Sequence, residues 1–338
     1  MRRHQWGLLS GGLLLLVLLA LTSLGTGAGT YGLPEVAGYL LGDPQRVADD
    51  KLAMIVDTLR LPRTLAALLI GAALAVAASL LQGATRNPLA EPGLLGVNEG
   101  AVLALVIGIS FFAVESTAGY LVWAGIGAVC GNLVVLALAS MMGVASPLRL
   151  ILAGVALTAV FGGIANYLLL ADRVALDQFR FWNLGSLAGV QMGALGTLLP
   201  GALAALVLAA LLSRRLQLMS MGDQQARALG VSTAWVRAGV LTSASILTAC
   251  AVAVAGPIGF IGFLAAYCGR VIESVSLPRQ LLFSALAGAL LLMAADVLAR
   301  WLIQPYELPV GTLLAAIGAP VLIVVVLRGG FRSLLAER

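Results

Sequence analysis

The chain is poor in side chains that do chemistry. It has one histidine, His4, so it encodes no histidine acid–base pair and no His-rich metal site. Its three cysteines, Cys130, Cys250 and Cys268, fall in apolar stretches without metal-ligand spacing and read as small buried hydrophobes. The sequence contains no HExxH, GxSxG or GxxxxGK[ST] pattern, which excludes the common zinc-peptidase, serine-hydrolase and P-loop sites. Charge is scarce too. Asp, Glu, Lys and Arg make up 10% of the residues, against roughly 25% in a typical soluble domain. The basic residues form no patch interleaved with aromatics, so no nucleic-acid partner is expected.

What the chain has instead is apolar length. Of its 338 residues, 61% are hydrophobic, and the mean hydropathy is +1.04. Apolar runs near 20 residues recur from end to end, and a helix of about 20 residues spans a bilayer core. A barrel would show alternating segments of about 10 residues, which are absent from the sequence. The pattern predicts an all-α polytopic membrane protein, one domain over 1–338. Ten helices are predicted at about 8–27, 62–84, 94–113, 117–140, 148–171, 191–212, 236–255, 258–272, 280–300 and 308–328. The first has the basic start and apolar run of a secretory signal, but no clear A-x-A site, and is expected to stay. The 40 glycines suit close helix packing.

An even number of spans puts both termini on one side. With the termini cytoplasmic, 13 of the 20 basic residues lie inside, and acidic residues such as Glu35, Asp49, Asp57 and Glu307 lie outside. That is the positive-inside pattern. The runs LPRTLAALLIGAALAVAASLL and LPRQLLFSALAGALLLMAADVL would then cross in opposite directions, a faint inverted repeat that shared composition also explains.

Four features stand out against this background. Arg60, Arg63 and Arg300 fall on the acidic outer side. They either snorkel at helix ends or receive a partner's carboxylates, and spacing alone supports both. The inner connection over about 213–236 holds DQQARALG, a short helix with Asp223 as its expected N-cap and Gly230 at its end. It either lies on the membrane or docks a cytoplasmic protein. Asp296, with Glu99 near a helix end, is nearly the whole stock of acids within the spans, and it is expected to pair with a nearby residue. An ion-coupled carrier usually needs a relay of such groups, so this scarcity argues against one. Finally, RNPLAEPGLLG (86–96) interrupts two apolar runs. It is expected to be a short turn at the cytoplasmic surface, stiffened by Pro88 and Pro92, with Glu91 at that surface.

The stretch from Leu59 to Ala101, LRLPRTLAALLIGAALAVAASLLQGATRNPLAEPGLLGVNEGA, resembles the hallmark of the FecCD-type permeases. These are membrane subunits of ABC importers for ferric siderophores, haem and vitamin B12. The likeness continues in order through SPLRLILAGVAL (146–157), FWNLGSLAG (181–189), GDQQARALGV (222–231), AVAVAGPIGFIGF (251–263), ADVLAR (295–300) and ELPVGTLLAAIGAP (307–320). The resemblance implies a type II ABC importer permease fold in the bacterial cytoplasmic membrane. It implies a dimer with a second permease copy or a related partner, and two ATP-binding subunits that hold ATP and Mg, with no cofactor in this chain. It also implies an extracytoplasmic binding protein whose acidic residues dock on Arg60, Arg63 and Arg300. Gly222, Asp223, Arg227 and Gly230 would belong to the coupling segment on the ATPase. Asn87, Pro88 and Leu89 would form part of a cytoplasmic gate, with Ser146 and Pro147 near a second gating element.

One departure stands out. The family usually carries a Pro-His pair before the arginine of LAAYCGR, where this chain has Ala266 and Tyr267 and keeps Arg270. The segments LRLPRTLAALL, AEPGLLGVN and FRFWNLGSL look most like ferric-siderophore members, catecholate types above all; vitamin B12 or haem is the alternative cargo. An ion-coupled secondary transporter and an intramembrane enzyme are the readings from other classes.

Overall fold

The structure, a computed structural model, describes residues 3–27, 31–141, 147–303 and 306–327. Among them there are only helices and the turns that join them. In chain order these are α1 (Arg3–Gly25), α2 (Leu33–Leu40), α3 (Pro44–Val47), α4 (Asp50–Met54), α5 (Leu61–Thr85), α6 (Val97–Phe112), α7 (Thr117–Met141) and α8 (Pro147–Ala171). Then follow α9 (Arg173–Asn183), α10 (Met192–Met219), α11 (Asp223–Ala228), α12 (Thr233–Ala255), α13 (Ile261–Ile272), α14 (Leu277–Leu302) and α15 (Val310–Leu327). Seven of the described helices are long and apolar enough to cross a membrane: α1, α5 with the turns leading into it, α7, α8, α10, α12 and α14. The shorter apolar helices α6, α13 and α15 complete the ten predicted positions. This is a polytopic all-helical membrane protein.

The centre of the bundle is α5, which packs against α14, α12 and α13. It crosses α14 at Gly71 and Gly288, where a Cβ on either residue would run into the other's backbone carbonyl. A similar glycine contact, Gly100 against Gly127 and Gly131, joins α6 to α7. In lipid no hydrophobic force favours helix on helix, so close backbone approach supplies much of the association. The two LPR runs are thus direct antiparallel neighbours, with Arg63 at the start of α5 bonded to Asp296 near the end of α14.

Several boundaries differ from the sequence reading. Residues 33–60 are not a loop. They form α2, α3, α4 and a π-helical turn over Ile55–Arg60 that runs into α5. Pro62 at the start of α5 has no N–H to give back, and the wider i→i+5 register upstream accommodates it. The unanticipated α9 is amphipathic. Ala175 and Phe179 pack into a cluster with Leu105, Val106 and Leu169, and Trp182 lies against it. The helix α10 continues through Arg214 and Arg215 to Met219, so the inner connection proper is 220–232.

The largest correction concerns 86–96. The α5 helix stops at Arg86, which adopts a left-handed conformation (φ 51°) just before Asn87-Pro88. The chain then re-enters the bundle instead of staying at its surface. Glu91, Pro92 and Gly93 line a cavity of about 250 Å³ with Leu74, Thr158 and Thr248, which are mid-helix residues of α5, α8 and α12. Leu74 lies about 16 Å from the inner end of α5 at 1.5 Å per residue. The Glu91 carboxylate accepts a 2.7 Å hydrogen bond from the N–H of Phe260, the N-cap of α13. Irregular backbone at that depth is tolerated where protein surrounds it and satisfies its polar groups.

Candidate functional site

Two polar clusters mark the two ends of the bundle. At the outer end α5, α14 and the end of α1 bring the three predicted arginines together. Arg63 donates from Nε and Nη2 to Asp296 at 2.9–3.1 Å, and from Nη1 to Glu307 at 2.6 Å. Arg300, one helical turn beyond Asp296, pairs with it at 2.9 Å and donates to the Ser23 and Thr26 carbonyls and to Ser23 Oγ. Arg60 donates to the carbonyls of Leu24 and Tyr31. These arginines are buried, at 3%, 9% and 4% exposure for Arg60, Arg63 and Arg300. They are not surface residues snorkelling into water. They tie α1, α5 and α14 to one another, and Asp296, itself fully buried, is the hub. All three, with Glu307, also line an outer cavity of about 170 Å³. In the cluster around it, Arg60, Arg63 and Arg300 stand with the carboxylates of Asp296 and Glu307.

Beside this cluster, α2 to α4 form a small cap held by polar links. Tyr31 donates to Asp49 at 2.8 Å, and Tyr39 to Asp57 at 2.7 Å. Asp49 also caps α4 by accepting from the N–H groups of Lys51 and Leu52. The Tyr31 hydroxyl first, and the Leu52 N–H next, hold the Asp49 carboxyl below its ordinary value.

At the inner end the short helix α11 is built differently from expectation. Asp223 does not cap it. The N-cap is Gly222 at φ +116°, a conformation that suits glycine, and Asp223 is the first helical residue. Its carboxylate is used elsewhere. It accepts from Arg86 at 2.6 Å and from Arg237 of α12 at 3.0–3.1 Å. Arg86 also donates to the Met219 carbonyl at the end of α10. One carboxylate therefore joins α11 to the residue that ends α5 and to the start of α12. The other end of α11 is closed as expected by Gly230 (φ +79°), with Val231 N–H on Ala226 O and Gly230 N–H on Arg227 O. Arg227 is exposed and makes no part of the ion-pair knot. Leu229 and Trp235 nearby are 61% and 79% exposed, an apolar surface beside an otherwise polar helix.

The residues expected to form the gate follow directly from Arg86. Asn87 Oδ1 accepts from the Leu89 N–H at 2.9 Å, and Ala90 N–H returns to Asn87 O, so Asn87-Pro88-Leu89 is a closed turn with Leu89 exposed. Ser146 lies outside the described residues, and Pro147 begins α8. At the Pro-His departure, Ala266 is fully buried and Tyr267 half-buried, while Arg270 donates to Gln82 of α5. Sequence reasoning missed Arg86, Arg237 and Glu307 as partners. Each was visible only as one charge among others, because its partner lies 14 to 244 residues away.

Comparison with known proteins fits this architecture. Residues 14–328 match the model of the FecCD transport family. The ferric enterobactin transport system permease protein FepD of Escherichia coli (strain K12) is 41% identical over 318 residues, 94% of each chain. The hemin transport system permease protein HmuU of Yersinia pestis is 36% identical over 323 residues, again 94% of each. A solved protein assigned as a metal-chelate type ABC transporter, in an inward-facing conformation, superposes with a TM-score of 0.81 at 30% identity. It covers 95% of this chain and 99% of its own. The match runs through both polar clusters and every long helix between them, and the chain belongs to the FecCD transport family.

Proposed function

We propose that this chain is the permease subunit of an ATP-driven importer that carries a ferric siderophore across the bacterial cytoplasmic membrane by alternating access. It pairs with a second permease copy or a related chain. Two ATP-binding subunits hold ATP and Mg and do the hydrolysis, and an extracytoplasmic binding protein delivers the cargo. The observation that carries the reading is the Asp223 knot. It connects a helix exposed on the inner side, with Leu229 and Trp235 beside it, to the turn that opens the re-entrant segment. A push on Gly222, Asp223, Arg227 or Gly230 by an ATPase is then a push on Arg86 and so on Asn87, Pro88 and Leu89. Coupling needs a two-state element that both sites bias, and the 86–96 segment is that element. By the family resemblance, Ser146 and Pro147 belong near a second gating element. The siderophore assignment, with catecholate types first, rests on the 41% identity to FepD over nearly the whole chain.

Docking of the binding protein takes a specific form on this reading. Arg60, Arg63 and Arg300 are already engaged, so a docking carboxylate enters the outer cavity and takes the place of Glu307 on Arg63. Glu307→Gln should then tighten docking, and charge reversal at Arg60 with Arg63 should weaken it in a salt-dependent way. Unchanged affinity in both variants would sink this role. The overall reading is tested by reconstituting the full complex with binding proteins loaded with a catecholate chelate, a hydroxamate chelate, haem or vitamin B12. Stimulated ATPase activity and uptake with a ferric siderophore is the expected result. Stimulation by haem or vitamin B12 alone would replace the cargo. Uptake into vesicles that lack any ATPase would replace the mechanism with an ion-coupled carrier.

A further inference from the structure

A third cavity lies at the basic end of the bundle, walled by α5, α10, α13 and α14, with a volume of about 420 Å³. Among the described residues its lining holds Arg86, Arg270, Gln82, Gln280 and several serines, and no acidic residue. The two carboxylates nearby are engaged elsewhere. Asp223 holds Arg86 and Arg237, while Glu273 accepts from the Val275 and Ser276 N–H groups, from Gln5 and from Arg279. Among the described residues, Arg86, Arg237, Arg270 and Arg279 stand around this space with Asp223 and Glu273 as the acids. Gln82 is 96% buried, being 4% exposed, and its Oε1 takes the Arg270 hydrogen bond. Its Nε2 has no acceptor. A buried amide N–H without a partner has lost its water and gained nothing in return, so this position calls for an oxygen ligand.

We propose that this cavity binds the anionic phosphate group of a lipid headgroup from the inner leaflet. Guanidinium groups suit phosphate by charge and by their forked donors. Basic pockets between helices on the cytoplasmic side are where anionic headgroups bind. The rim fits the rest of such a molecule. Leu216, Leu277 and Val275, the last of them 74% exposed, form part of the wall. An acyl chain can lie along that surface while the phosphate reaches Gln82 and Arg270. A free phosphate ion shares the polar half of this recognition and lacks the apolar half. The cavity shares Arg86 and Pro88 with the proposed gate turn, but its test reads lipid binding alone and needs neither cargo nor ATPase.

The test uses the purified full-length chain, delipidated in neutral detergent. Phosphatidylglycerol, phosphatidylcholine and inorganic phosphate are compared by native mass spectrometry and by the thermal unfolding midpoint. Phosphatidylglycerol should remain bound and raise the midpoint, with clear preference over phosphatidylcholine. Gln82→Leu should weaken that binding about tenfold, the loss of one charge-assisted hydrogen bond. Arg270→Gln should abolish the preference, and Arg270→Lys should keep most of it. Millimolar phosphate that displaced the lipid and raised the midpoint as much on its own would make the free ion the ligand and overturn the lipid assignment. Equal retention of both lipids by the wild type, or an undiminished preference in Gln82→Leu and Arg270→Gln together, would overturn the site itself.

Discussion

Replacing Asp296 by asparagine tests the outer cluster most directly. The substitution keeps the shape of the side chain and removes one charge. Asp296 accepts three hydrogen bonds from Arg63 at 2.9–3.1 Å and pairs with Arg300 at 2.9 Å. The side chains of Arg63, Arg300 and Asp296 are only 11%, 3% and 1% exposed. In Asp296→Asn two buried guanidiniums would be left with Glu307 as their one carboxylate. Removing one partner of a buried pair typically costs about 3–5 kcal/mol, because the other charge stays buried. At about 2 °C per kcal/mol, the value for larger chains, the unfolding midpoint should fall by about 6–10 °C. The assay is thermal unfolding of the full-length chain in detergent at one fixed heating rate, since membrane proteins seldom refold after heating. Two comparisons sharpen it. Glu307→Gln, at a half-exposed position, should cost about 1 kcal/mol or less. The double variant Asp296→Asn with Arg300→Gln should lose less than the two single losses together, because their partners are shared. A midpoint for Asp296→Asn within a degree of wild type, or strict additivity in the double variant, would refute the hub.

Other outcomes follow from the same geometry. Asp223→Asn should cost less stability than Asp296→Asn, since Asp223 and Arg86 are 26% and 43% exposed, although the buried Arg237 also loses this carboxylate. In the assembled importer it should nevertheless lower the amount transported per ATP hydrolysed, and intact coupling would count against the knot as a transmission element. Gly71→Ala should destabilise by about 2–3 kcal/mol through collision with the Gly288 carbonyl, whereas Gly193→Ala, with nothing within 4 Å, should be neutral or slightly stabilising in the same melting assay. Glu273 gives a pH signature. Burial pushes its carboxyl up, but the Ser276 and Val275 N–H groups, Gln5 and Arg279 outweigh that and hold it below its ordinary value. The unfolded chain therefore takes up this proton first. The stability Glu273 contributes is complete above the ordinary carboxylate range and is lost as pH falls through the lowered value. Glu273→Gln should flatten the acid side of the melting-midpoint profile below about pH 4.5, and an unchanged acid slope would exclude this role.

The membrane class and the ten apolar segments were legible in the chain because each depends on local quantities. Length and hydropathy decide whether a segment can span. The ordered motifs carried the family. Even the end of α11 was readable, since Gly230 is needed where the backbone turns left-handed. What the chain could not announce was partnership. Asp223 looks like a helix cap by position, and only the arrival of Arg86 from 137 residues away turns it into an ion-pair hub. Arg60, Arg63 and Arg300 look like surface anchors or docking groups, and only the packing of α1, α5 and α14 makes them a buried clamp around Asp296. RNPLAEPGLLG looks like a surface turn because it is polar and rich in proline. Its descent into the bundle depended on an N–H from Phe260 to satisfy Glu91, on a helix 169 residues further on. Hydropathy is summed along one segment, whereas the depth of a polar group is settled by what surrounds it, and for this protein only the tertiary structure supplied those surroundings.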